Sequence, residues 1–224
     1  MTDALGQLFG SGIGVALSPI PVIAVILMLT TARGRTTGVA FMLGWLVGLC
    51  VATLLVLLLA GDADDPSSSA ADGAHIAILV VGLLFLALAV KQWKARPKPG
   101  VPAELPKWMA GIDAFSTLKC FGLGAILSGV NPKNLAMAIS AGVALAESGA
   151  SGGDAVVGAA IFIAIGSITV AGPVIGSLLA PSRMAPLLAG AKLWLGDNNA
   201  TIMMVVFLVL GVSKTGEGLA SLLR

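Results

Sequence analysis

The chain has 224 residues, of which 57% are apolar and 11% charged, with a mean hydropathy of +1.00. That leaves too little polar surface for a soluble globule and predicts a membrane protein. The formal net charge of +2 says nothing about partners, and no nucleic acid is expected among them.

Six stretches reach or approach the roughly 20 residues that a spanning helix needs. They are residues 5–29, 37–60, 74–93, 118–145, 155–180 and 199–222, which predicts an all-α integral membrane bundle forming one domain. The first is no signal peptide, because Met1-Thr2-Asp3 lacks a basic segment and the apolar run is long and broken by prolines, so it is expected to stay in the mature chain. Its middle carries Ser18-Pro19-Ile20-Pro21. Proline removes a helix donor and clashes with the carbonyl one turn back, so this pair either kinks the helix for packing or opens a short run of uncapped backbone.

The second stretch carries Gly44 and Gly48 at the small-xxx-small spacing of close helix packing, and Cys50. The run Pro66-Ser67-Ser68-Ser69 and its acidic neighbours read as a solvated loop, and His75 as a solvated interfacial histidine. Pro97, Pro99, Pro102 and Pro106 interrupt a basic stretch from Lys91 to Lys107, which predicts an extended linker over about 94–117.

Cys120 opens the fourth stretch and, with Cys50, reads as an inert core thiol rather than half of a disulfide. Mid-stretch lies Ser128-Gly129-Val130-Asn131-Pro132-Lys133-Asn134, a second break. Residues 183–197 read either as a short helix lying in the interface or as the start of the last helix.

Charge orients the bundle. Arg33, Arg35, Lys91, Lys94, Arg96, Lys98, Lys107, Lys119, Arg183 and Lys192 fall in loops on one side. Asp62, Asp64, Asp65, Asp72, Glu147 and Asp154 fall on the other, with only Lys214 and Arg224 near the last helix. The positive-inside rule makes the basic side cytoplasmic and puts both termini outside a cell membrane. The same basic loops also suit anionic lipid headgroups.

A weak internal repeat aligns with the two breaks. Gly12-Ile13-Gly14-Val15-Ala16-Leu17-Ser18 resembles Gly122-Leu123-Gly124-Ala125-Ile126-Leu127-Ser128, and Phe85-Leu86-Ala87-Leu88-Ala89-Val90 resembles Phe207-Leu208-Val209-Leu210-Gly211-Val212. These pairs place helix 1 on helix 4 and helix 3 on helix 6, so repeat one is about 1–93 and repeat two about 118–224. An odd number of helices per repeat inverts the second copy, giving a three-plus-three inverted-topology repeat with broken helices 1 and 4.

Backbone left unpaired at mid-depth survives only where it is buried in protein or lines a polar cavity, so paired breaks mark a substrate site. The expected substrate-binding residues are Ser18, Pro19, Pro21, Ser128, Asn131, Pro132, Lys133 and Asn134. Lys133 is the one ionisable residue expected near the centre of a span, where an unpaired charge is costly. It either pairs with carbonyls that Pro132 frees or snorkels; otherwise, flanked by the Asn131 and Asn134 amides, it binds an anionic substrate group or exchanges protons. One histidine gives no metal-spaced set, no Gly-x-Ser-x-Gly elbow occurs, and no paired carboxylates lie within the membrane, so neither enzyme activity nor a cofactor or metal is expected.

The proline pair in helix 1, the Gly-bearing helix 2 and Asn131-Pro132-Lys133 in helix 4 resemble the LysE exporter superfamily. The Ser18-Pro19-Ile20-Pro21 form, the run from Asn131 to Leu135 and the long basic loop look most like its GAP (glycolipid-addressing protein) family. The resemblance implies an alternating-access exporter of a lipid or other glycolipid-like amphiphile, acting alone, as a homodimer or with a larger exporter. Amino-acid exporters of the superfamily tend to have Pro-Gly-Pro where this chain has Pro19-Ile20-Pro21. Proton-coupled export of a small amino acid or cation, and a non-transporting accessory subunit of a lipid export system, are the other readings. A thiol-redox carrier fits poorly, because Cys50 and Cys120 are not beside the prolines.

Overall fold

The computed structural model describes residues 2–61, 69–96, 107–150 and 152–223. Among these, every regular element is helical: α1 (Thr2–Ala16), α2 (Pro19–Leu29), α3 (Gly34–Gly61), α4 (Ser69–Lys94), a 3-10 helix (Lys107–Ala114), α5 (Thr117–Gly129), α6 (Pro132–Glu147), α7 (Gly153–Leu179) and α8 (Pro181–Leu222). Asp62, Asp64, Asp65, Pro66, Ser67, Ser68, Pro97, Lys98, Pro99, Pro102, Pro106 and Arg224 lie outside the described residues, as do the side chains of Ser69, Asp72, His75, Lys107 and Glu147.

Among the described residues, three helices are long and apolar enough to cross a bilayer: Gly34–Leu58, Gly153–Leu179 and Pro181–Ala220. Ala4–Ala16 with Pro19–Leu29 makes a fourth if the pair, bent by 54°, counts as one span. The fourth sequence stretch is divided at Val130 and Asn131 into helices of 13 and 16 residues, each short of the roughly 20 that hydrocarbon requires. Leu58, Leu118 and Leu179 are 71%, 79% and 81% exposed, a surface that hydrocarbon rather than water would cover.

Residues 183–197 are not a separate interfacial helix. They form the first half of α8, whose 42 residues run about 60 Å, twice the thickness of the hydrocarbon core. The expected extended linker is also corrected in part. Residues 107–114 coil into the 3-10 helix, which packs on α2 and buries Met109 and Ile112 because those apolar side chains fall on one face.

Two helix pairs form the frame. α4 and α8 run antiparallel: a Cβ added at Gly211 would sit 2.8 Å from the Leu86 side chain, and one at Gly218 2.7 Å from the Leu79 nitrogen. Phe85 stacks on Phe207 within this pair, with ring centroids 5.6 Å apart. α3 and α5 run parallel, with Gly44 against the Phe121 carbonyl, Gly48 against the Ala125 carbonyl and Gly124 against the Phe41 carbonyl. Backbones this close need residues without Cβ, and the packed seam buries Phe41 and Trp45 completely.

This gives a sharp expectation. Gly44→Ala drives a methyl into the Phe121 carbonyl oxygen, and because that oxygen is backbone the helices must part. The cost is about 1–3 kcal/mol or more. Gly122→Ala on α5 meets nothing within 4 Å and gains helix propensity. Thermal melting in detergent should show a large loss for the first and none for the second.

Candidate functional site

Hydrogen-bond arithmetic explains the break between α1 and α2. In a regular α-helix the N–H of residues 18, 19 and 21 would reach the carbonyls of residues 14, 15 and 17. Pro19 and Pro21 have no N–H, and the Ser18 N–H turns to the Ala16 carbonyl instead, at 2.8 Å. Gly14, Val15 and Leu17 are therefore left as bare acceptors at the end of α1. The prolines cost α2 nothing, since they occupy its first turn, where N–H groups lack partners anyway.

Lys133 supplies the missing donors. Its Nζ donates its three N–H groups to the Gly14 carbonyl, to the Leu17 carbonyl at 3.1 Å and to Ser18 Oγ at 2.8 Å, with the Val15 carbonyl farther off at 3.5 Å. The Ser18 hydroxyl in turn donates to the Val15 carbonyl at 2.7 Å. Lys133 is only 3% exposed. A buried ammonium is tolerated there because the carbonyl end of a helix carries partial negative charge. The carbonyls it meets are thus those released by Pro19 and Pro21, not those released by Pro132. Thr169 of α7 completes the site by donating to the Ala16 carbonyl at 2.8 Å.

The second break is served mostly from within, although the Asn134 side-chain oxygen is buried without a partner among the described residues. Pro132 cannot donate to the Ser128 carbonyl, and the Asn134 side-chain amide does so at 3.1 Å while also reaching the Leu127 carbonyl at 3.2 Å. Asn131 caps α6, its side-chain oxygen accepting from the Lys133 N–H at 3.0 Å. Ser128 lies in the last turn of α5 and donates to the Ala125 carbonyl. The four residues from Asn131 to Asn134 thus divide the work: Asn131 caps the helix, Pro132 starts it, Lys133 sends its ammonium across to α1, and Asn134 serves the carbonyl that Pro132 leaves bare. The Asn131 and Asn134 amides do not join the Lys133 ammonium at an open site.

Beside the breaks lies a cavity of about 790 Å³ between α1 and α8, reaching Met137 of α6. Ile13, Leu17, Val205, Val209 and Leu210 give it apolar walls, while Gln7, Ser11, Ser213, Lys214 and Glu217 make a polar region. Gly14 and Leu17, whose carbonyls hold Lys133, also line it.

Lys214 departs furthest from the sequence expectation, which places it among peripheral charges and makes Lys133 the one ionisable residue near the centre of a span. It is 8% exposed, and its ammonium donates to Ser140 Oγ and to the Glu217 carboxylate. Two signals point to it. Lys214 and Glu217 stand three apart inside the last apolar stretch, and Lys133, Met137 and Ser140 form an i, i+4, i+7 stripe on α6. That stripe connects the two buried lysines, Lys133 reaching α1 and Ser140 reaching α8. Gly44 lies at the α3–α5 seam away from the breaks, whereas Gly48 backs the second break, where a Cβ added to it would strike Ser128 Oγ and one added to Gly129 would sit 2.8 Å from the Gly48 carbonyl oxygen. Cys50 and Cys120 are free thiols, and no metal-binding cluster occurs among the described residues.

Apolar helices, a bent helix pair, a buried cross-break lysine and an adjoining cavity define an all-helical integral membrane protein. The chain belongs to the family described as Sap, sulfolipid-1-addressing protein, whose model matches residues 8–220. No curated protein and no solved structure matches it.

Proposed function

We propose that the protein is a six-span transporter of the LysE exporter type, a three-plus-three inverted repeat in the cell membrane with both termini outside. It moves a lipid or other glycolipid-like amphiphile by alternating access. The observation that carries this reading is the Lys133 ammonium, which leaves the second break and closes on the carbonyls of the first. Two broken helices tied by one charged side chain form an element with two arrangements, tied and released, which alternating access requires.

Further features support the repeat. Phe85 and Phe207, equivalent in the two copies, stack on each other as residues beside a two-fold axis would. The antiparallel α4–α8 pair and the α3–α7 contact join equivalent helices of the two copies. The family's description concerns the addressing of a sulfolipid, which favours lipid cargo over a small amino acid or cation. So does the mostly apolar wall of the cavity.

The test is reconstitution. Purified protein in liposomes should move a fluorescent long-chain lipid between leaflets without any other protein. Movement only when a larger exporter is added would replace this reading with that of an accessory subunit. Orientation is tested separately. In a background lacking Cys50 and Cys120, cysteines at Ser67 and Ser151 should label from outside intact cells and one at Gly100 should not, and the reverse pattern would invert the topology.

A further inference from the structure

We propose that the second break is an interface between two copies of this chain, which meet along α5 and exchange hydrogen bonds at Asn131. The interface goes beyond the transport reading and does not rest on it.

The two breaks differ in what covers them. Ser18, Pro19 and Pro21 are buried in the bundle. At the second break Val130 is 66% exposed, and Pro132 is exposed as well. This surface lies at mid-depth. Gly129 packs against the Gly48 carbonyl, and Gly48 stands near the middle of the Gly34–Leu58 span. Along α5, Val130 is 11 residues beyond Lys119, about 16 Å at the helical rise, or half the thickness of the hydrocarbon core. Interrupted backbone at that depth is tolerated against protein or a water-filled cavity, and not against lipid. Water does not suit the surroundings, because Ile126 on α5 and Ile139 on α6 are 59% and 41% exposed and, like Val130 and Pro132, have wholly apolar side chains. The cavity of about 790 Å³ touches none of the four. A second protein surface is what remains.

The break also has hydrogen bonds to exchange. Asn134 serves the Leu127 and Ser128 carbonyls, but those of Gly129 and Val130 accept from no group among the described residues. Asn131 spends its side-chain oxygen on the Lys133 N–H, while its own N–H and its side-chain NH2 donate to nothing among the described residues. Unspent donors and unspent acceptors thus lie on neighbouring residues that do not pair with each other. A two-fold axis sets the donors of each copy against the acceptors of the other, so the patch is complementary to itself. An unrelated partner would have to carry both kinds of group at the same depth in hydrocarbon.

α5 is shaped for such a contact. Both copies insert the same way up, so the axis runs along the membrane normal and the two α5 helices meet in parallel. Gly122, Ile126 and Val130 recur every four residues on one face, and a Cβ built at Gly122 meets nothing within 4 Å. No packing need inside the chain explains this glycine. A small residue there lets a second helix approach closely.

The test is disulfide cross-linking of the full-length protein in its native membranes, in a background lacking Cys50 and Cys120. Single cysteines at Ile126 or Val130, oxidised with copper phenanthroline, should give covalent dimers of the chain. Val209→Cys, equally exposed on α8, should stay monomeric. Gly122→Leu clashes with nothing in its own chain and raises helix propensity, yet it should weaken the dimer about tenfold or more, read by single-molecule photobleaching at graded dilution in phosphatidylcholine liposomes. Gly172→Leu on α7, also free of neighbours, should leave the dimer unchanged. Asn131→Ser keeps a helix cap and removes the side-chain NH2, so it should weaken the dimer at unchanged helix content.

A monomer in both membranes, cross-links to a different protein alone, equal cross-linking from Val209→Cys, or a dimer indifferent to Gly122→Leu would each overturn the assignment. So would rapid labelling of Val130→Cys by a membrane-impermeant maleimide, which would show that the break lines water. A dimer that moves no lipid would sink the transport reading and leave the interface standing.

Discussion

Lys133→Met should reduce lipid export to background while leaving a folded bundle of lower stability. Methionine keeps the length of the chain and removes the ammonium, so the carbonyls of Gly14 and Leu17 lose their donor while that of Val15 keeps the Ser18 hydroxyl. An orphaned buried carbonyl costs about 1–3 kcal/mol, but Gly14 and Leu17 border the cavity, where water can replace part of what is lost. The net loss should be about 2–4 kcal/mol, below the upper cost of two full orphans. Melting in detergent should show this as a drop of several degrees, and circular dichroism should show unchanged helix content. Lys133→Arg restores the charge but offers a planar fork where several oxygens converge on one compact point, so it should not restore export. Full activity of Lys133→Met in cells would mean that the residue is merely accommodated, and the assignment of the breaks as the moving part would fall.

The helical class of the chain was legible because hydrocarbon permits few alternatives and the apolar runs are long. Both breaks were legible from their prolines, which forbid specific hydrogen bonds whatever the tertiary context. The partner of Lys133 was not. Sequence spacing says that Pro19 and Pro21 leave carbonyls free and that Lys133 needs partners, yet these lie more than a hundred residues apart and only the packing of α1 on α6 joins them. Lys214 was hidden for a related reason. A lysine near the end of an apolar run reads as a snorkelling charge, and only the position of Ser140 on α6 shows that it turns inward. The cavity was illegible too, since Gly6 and Gly10 look like ordinary membrane-helix glycines until it is seen that nothing packs on them. The length of α8 was obscured by Arg183, Lys192 and Asp197, which make its first half look like a loop, and by Pro186, which α8 carries inside its second turn at the loss of one backbone hydrogen bond.

Replacing both prolines, Pro19→Ala with Pro21→Ala, should also abolish export, and it should do so by taking acceptors away from Lys133. Alanine at residue 19 supplies an N–H for the Val15 carbonyl, and alanine at residue 21 supplies one for Leu17. α1 can then run straight into α2, and the 54° bend between them is no longer enforced. Helix content should be equal or slightly higher, because alanine is the best helix former and the prolines contributed nothing to α2 beyond a permitted start. In the straight helix the Ser18 N–H also returns to the Gly14 carbonyl, so Lys133 keeps only the Ser18 hydroxyl, and the tie between the breaks weakens from one side as surely as Lys133→Met weakens it from the other. The two changes should therefore be strongly non-additive. In the straightened alanine background the carbonyls of Gly14, Val15 and Leu17 already have backbone donors, and Lys133→Met should cost about 1–2 kcal/mol less than in the native chain, a coupling within the range for groups that share a hydrogen-bond network. The measurement is a double-mutant cycle on thermal stability in detergent, run beside the liposome assay. Costs that simply add would show that Lys133 does not depend on the carbonyls the prolines release, and export surviving in the proline variant would show that the bend serves packing rather than movement.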